Sequence, residues 1–96
     1  MPIVSKKKLV DFWKMYPNSR TGLEQWFKLI SRMKFSDYNQ LRSVFPSADY
    51  VDGFIVFNIG GNKFRLITAI HFNRSKAYVR DIFSHASYDK KEWRRG

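Results

Sequence analysis

Apolar positions recur at helical spacing up to about residue 34 and at strand spacing from about residue 48. Leu9, Phe12, Trp13 and Tyr16 stand at i, i+3, i+4 and i+7, the stripe of an amphipathic helix. Ser5 is placed to cap that helix, and Pro17 to end it near Tyr16. Leu23, Trp26, Phe27, Ile30 and Met33 form a second stripe that runs out near Lys34. Thr21 and Glu24 have the spacing of a capping box at its start. A short helical turn is expected over Asp37–Ser43, broken by Phe45-Pro46-Ser47. Both aromatic stripes are read as core.

From Ala48 the pattern becomes extended. It predicts strands at Asp49–Val51, Phe54–Ile59, Lys63–Phe72 and Lys76–Phe83. Asp52-Gly53, Gly60-Gly61-Asn62 and Asn73-Arg74-Ser75 are the connecting turns. Ile3-Val4 reads as a short strand ahead of the first helix, and Ser84–Gly96 as a polar, basic tail docked through Trp93. The expected fold is α+β: two N-terminal helices packed on one face of a small antiparallel sheet, in a single domain over residues 1–96.

The hairpins sort the strand residues onto two faces, because side chains alternate. A two-residue loop at Gly60-Gly61 or at Gly61-Asn62 puts Asn58, Lys63 and Arg65 on one face. A two- or four-residue loop at the next turn puts Arg80 there too. The apolar face then carries Ile55, Phe57, Ile59, Phe64, Leu66, Ile70, Phe72, Ala77, Val79 and Phe83. The polar face carries Asn58, Lys63, Arg65, His71, Tyr78, Arg80 and Ser84, among Val56, Ile67 and Ile82. Asp81 falls on the apolar face and does not fit it.

Charge changes the picture next. Eighteen Lys and Arg against eight Asp and Glu give the 96-residue chain a net charge of +10, which favours a polyanionic partner. With 44% hydrophobic and 18% aromatic residues, this is a folded domain and not a disordered basic tail. The chain has no cysteine, which excludes disulfides and thiolate metal sites. Nothing resembles a signal peptide or a membrane span, so a soluble cytoplasmic protein with no membrane partner is expected.

On the polar face, Lys63, Arg65 and Arg80 make an anion site, and the arginine fork suits phosphate. The competing reading pairs the arginines with carboxylates, but few acids lie nearby in the sequence. His85 follows the last strand in SHASYDK, with Tyr88 and Lys90 close behind. Histidine's ordinary pKa suits proton transfer near neutrality. RNA cleavage fits this set, because RNA carries its own nucleophile in the 2′-hydroxyl. The protein then supplies proton transfer from His85, Tyr88 and Lys90, and cations for the phosphorane. No metal or other cofactor is called for, since His71 and His85 lack a carboxylate or thiolate cluster.

The segments VFNIGGNKFRLITAIHF and KAYVRDIFSHASYDK resemble the signature of HigB-type toxins, in the RelE-like superfamily of bacterial type II toxin–antitoxin systems. The likeness covers nearly the whole chain. It implies a RelE-like fold and a ribosome-dependent endoribonuclease cutting mRNA in the ribosomal A site. It also implies a helix-turn-helix antitoxin, through which alone the toxin would meet operator DNA. Carried over by motif, the basic hairpin falls on Asn58, Asn62, Lys63 and Arg65, the strand-end arginine on Arg80, and the closing pair on His85 and Tyr88. Ser84 stands where the family often has threonine. The expected catalytic set is His85, Arg65, Tyr88 and Arg80, with Asn58, Asn62, Lys63 and Lys90 contacting RNA. Two other readings stay open: a non-catalytic RNA- or ribosome-binding module using the same basic face, and a gyrase-poisoning toxin of the same superfamily.

Overall fold

The computed structural model describes residues 1–61 and 63–89. The elements follow in the order β1 (Ile3–Val4), α1 (Lys6–Met15), a 3₁₀ turn (Pro17–Ser19), α2 (Arg20–Arg32), α3 (Tyr38–Val44), β2 (Asp49–Val51), β3 (Phe54–Ile59), β4 (Phe64–His71), a second 3₁₀ turn (Phe72–Arg74), β5 (Lys76–Ser84) and α4 (His85–Asp89). The strands form one sheet in the order β1-β5-β4-β3-β2. β2 to β5 are the expected antiparallel meander. β1 adds a parallel edge beside β5, with Ile3 opposite Ala77, and so makes the sheet mixed.

The helix ends differ from their sequence signals in instructive ways. Ser5 stands at the N-cap of α1 but is left-handed at φ 73°, and its hydroxyl caps nothing. The capping box at Thr21 and Glu24 does not form. The 3₁₀ turn opened by Pro17 leads directly into α2, so the helix starts ahead of Thr21. Ser19, at the N-cap, has helical backbone angles, and its hydroxyl donates back to the Tyr16 carbonyl at 2.7 Å. Glu24 instead pairs with Arg20, one turn earlier. The working cap is at α3. Asp37 Oδ1 accepts from the Gln40 N–H at 2.9 Å, while Gln40 Oε1 accepts from the Ser36 N–H at 2.8 Å.

One face of the sheet receives the helices. Leu9 of α1, Leu23, Trp26 and Ile30 of α2 and Leu41 of α3 join Phe57, Ile59, Phe64, Leu66 and Val79 in one buried core. Phe57 sits between the rings of Trp26 and Phe45, with centroids at 5.4 and 5.1 Å. Phe12 meets Phe64 edge-on at 5.5 Å. Thr68 is fully buried on this face, where its hydroxyl is satisfied by donating to the Ile55 carbonyl at 2.8 Å.

A β-bulge corrects the assignment of faces. Along most of β5 the register is as alternation requires, with Ile70 opposite Ala77 and Thr68 opposite Val79. Between Ile67 and Thr68 it shifts, so that Ile67 faces Asp81, Leu66 faces Ile82 and Arg65 faces Phe83. Arg80 is the extra residue, and everything after it changes sides. Ile82 therefore lies in the core at 7% exposure, and Ser84 is opposite Phe64. Asp81 and Phe83 lie on the other face. The sequence expectation had these residues reversed. The misfit of Asp81 was the trace of the bulge.

Candidate active site

The β3–β4 hairpin carries the first part of the site. Asn58 is directly opposite Arg65, one of the two registers the turn allows. Gly60 and Gly61 both have positive φ, 64° and 61°, a conformation that side-chain-bearing residues resist. A Cβ on Gly22 of α2 would stand 2.8 Å from Ile59 Cγ2 and 2.9 Å from the Gly60 nitrogen. The first turn of α2 is therefore pressed against this hairpin. Lys63 is exposed and belongs to the turn, because β4 begins at Phe64. Strand alternation does not govern its direction, contrary to the expected strand start.

Arg65 points to the sheet face away from the helices and is still only 9% exposed. Its Nη1 donates to the Phe64 carbonyl at 3.2 Å. Its guanidinium carbon stands 5.7 Å from the centre of the Tyr88 ring, within cation–π range. Tyr88 comes from α4, a helix absent from the sequence reading, which took Ser84–Gly96 as a polar, basic tail. Ser87 N–H donates to Ser84 Oγ at 3.2 Å, and the two hydroxyls are 3.2 Å apart. His85 opens the helix, and its backbone N–H donates to the Lys63 carbonyl at 2.9 Å. The end of β5, the Gly-Gly turn and Arg65 thus meet at one corner.

The other expected residues are spread more widely. Arg80 reaches the same face, but its guanidinium carbon lies 5.7 Å from the Phe54 ring. Phe54 is four residues along β3 from Asn58, about 13 Å of strand. Arg80 therefore points away from the corner that holds Arg65. Its backbone carbonyl accepts from Lys8 Nζ at 3.0 Å, which ties the bulge to α1. His71 lies at the far end of β4, its ring 5.0 Å from that of Tyr78. Asn62, Lys90 and Trp93 lie outside the described residues. Among the described residues, no group of three His, Asp or Glu side chains is placed to hold a metal ion, and no helix is long and apolar enough to cross a membrane.

The corner thus brings together the Arg65 guanidinium and the Tyr88 ring, with Asn58 on the facing strand and His85 at the start of α4. It offers charge for a phosphate and two groups able to exchange a proton. The profile of the HigB toxin family, described as the RelE-like toxic component of a toxin–antitoxin system, matches residues 19–91. The chain is 35% identical over 92 residues to the mRNA interferase toxin HigB of Escherichia coli strain K12, covering 93% of this chain and 88% of that protein. The mRNA interferase HigB of Shigella flexneri gives the same identity and coverage. That of Escherichia coli O6:H1 strain CFT073 is 33% identical over 93 residues, 94% of this chain and 90% of the relative.

Proposed function

This chain belongs to the HigB toxin family of toxin–antitoxin systems, and from that premise we propose that it is an mRNA endoribonuclease. The observation that carries the reading is the approach of Arg65 to the Tyr88 ring at the end of the sheet where the His85 backbone is tied to Lys63. Attack by the RNA 2′-hydroxyl on the adjacent phosphate expels the 5′-oxygen, with one proton removed and one delivered. His85 and Tyr88 share those transfers. Arg65 donates to the phosphate oxygens as charge builds on them. Asn58, opposite Arg65, holds the RNA strand together with Asn62, Lys63 and Lys90. Arg80 binds the chain farther along the same face.

The substrate is message engaged in the A site of a translating ribosome, in the cytoplasm. A site with few proton-transfer groups gains most from a partner that aligns the scissile phosphate. The neutralising partner is an antitoxin with a helix-turn-helix domain, and operator DNA is met only through it.

The test is controlled expression in a bacterium, with primer extension on a highly translated message. The wild type should arrest growth and leave in-frame cuts. His85→Ala and Arg65→Ala should each lower cleavage about 100-fold or more, while the purified variants still bind programmed ribosomes. Growth arrest over intact messages would overturn the nuclease reading in favour of a binding module or a gyrase poison. A supercoiling assay separates those two.

A further inference from the structure

We propose that Ser84 is a positioning residue for cleavage, its hydroxyl fixing where β5 gives way to α4 and so where His85 begins the helix and where Tyr88 stands against Arg65. This rests on the ribonuclease reading and deepens it. The geometry begins with register. Phe83 is directly opposite Arg65, Ser84 is the next residue, and α4 starts at His85 with no loop between. An extended chain from Ser84 would carry Tyr88 about 13 Å onward, whereas a helical one advances it about 6 Å. Only the helical path returns Tyr88 to within 5.7 Å of the Arg65 guanidinium carbon.

The Ser84 hydroxyl sits where that choice is made. It accepts the Ser87 N–H and donates to Ser87 Oγ, both at 3.2 Å, which satisfies an amide that the first turn of a helix leaves open. A five-residue helix is far too short to hold itself together, so its place depends on such ties. A second tie is the bond from the His85 N–H to the Lys63 carbonyl. That bond anchors the start of the helix to the Gly-Gly hairpin, while the serine sets the direction in which it leaves. His85 and Tyr88 are three residues apart and so share a side of the helix. Both move together if the first turn opens.

Ser84→Thr and Ser84→Val test this as a pair, because they match in volume and differ in the hydroxyl. On message engaged by ribosomes, kcat of Ser84→Val should fall about 10- to 100-fold, with KM and melting temperature unchanged. Ser84→Thr should restore kcat. Equal rates for the two variants would overturn the proposal, as would a loss confined to KM. Nuclear Overhauser contacts between the Tyr88 ring and the Arg65 side chain give a readout independent of cleavage. They should persist in the wild type and in Ser84→Thr and vanish in Ser84→Val. If the wild type cuts no RNA, the ribonuclease reading fails by itself. Contacts that persist in Ser84→Val would then reject the role of Ser84 on separate grounds.

Discussion

Arg65 is a cation held almost out of water in the middle of a hairpin, and the chemistry of guanidinium explains how the strand tolerates it. The group is planar and more weakly hydrated than an ammonium. It can lie near an aromatic ring and still donate from its edge. Here the Tyr88 ring takes one face and the Phe64 carbonyl takes one N–H. Lysine would keep the charge and lose both the fork and the stack. Arg65→Lys is therefore expected to cleave about as poorly as Arg65→Ala, about 100-fold below wild type, in the same primer-extension assay. Recovery of most of the activity would mean that charge alone matters at this position. Gly22 is a second residue whose identity is dictated by space. One neighbour of an added Cβ is the backbone nitrogen of Gly60, which cannot swing away as a flexible side chain would. Gly22→Ala should lower stability by about 1–3 kcal/mol in thermal unfolding.

Among the elements, the bulge in β5 decides most. By inserting Arg80 it rotates Ile82 into the core and Phe83 out to the side of Arg65. The alternating pattern read without a bulge makes the opposite statement. Stability separates the two directly. Ile82→Ala should cost about 2–5 kcal/mol in urea unfolding, as for a buried isoleucine. Phe83→Ala, at a half-buried position, should cost clearly less despite removing the larger side chain. The reverse order would show that the strand keeps simple alternation. The bulge also has a consequence for the site. It brings Phe83 opposite Arg65 and leaves Ser84 as the last strand residue before α4. The bulge and the cap thus act in sequence along the same strand.

At the scale of the whole molecule, the positive charge is not confined to the candidate site. Lys6, Lys7, Lys8, Lys14, Arg20, Lys28 and Arg32 are all exposed on the helical layer. General attraction for a polyanion and the chemistry of the corner are therefore separate properties. Binding to single-stranded RNA should weaken with salt, with a logarithmic slope of about −0.7 for each phosphate neutralised. His85→Ala should leave that slope unchanged. Arg65→Gln should make it shallower by about 0.7 if Arg65 meets a phosphate as proposed. Titrations across a salt series measure both, and an unchanged slope for Arg65→Gln would remove the guanidinium from the phosphate contact.

The sequence by itself determined the class of fold, the position of nearly every element and the placing of Asn58 and Arg65 on one face of the sheet. These follow from local rules: apolar periodicity, proline and glycine at the breaks, and a turn that admits only a few registers. It also marked Arg65, Arg80, His85 and Tyr88 as candidates for chemistry. Other features were decided only by the tertiary structure. The bulge at Arg80 leaves no local signature except the misplaced Asp81, because an unpaired residue is defined by the strand beside it. The helix α4 was hidden because five residues are too few to show a periodicity, and Ser84 caps it only once β5 has brought that serine to the hairpin. The capping box at Thr21 gave way to a 3₁₀ turn that feeds the helix from behind. Arg65 and Tyr88 lie 23 positions apart in the chain and meet at 5.7 Å because strand register, bulge and helix start add up. That sum is a property of the packed sheet, and no single stretch of the chain contains it.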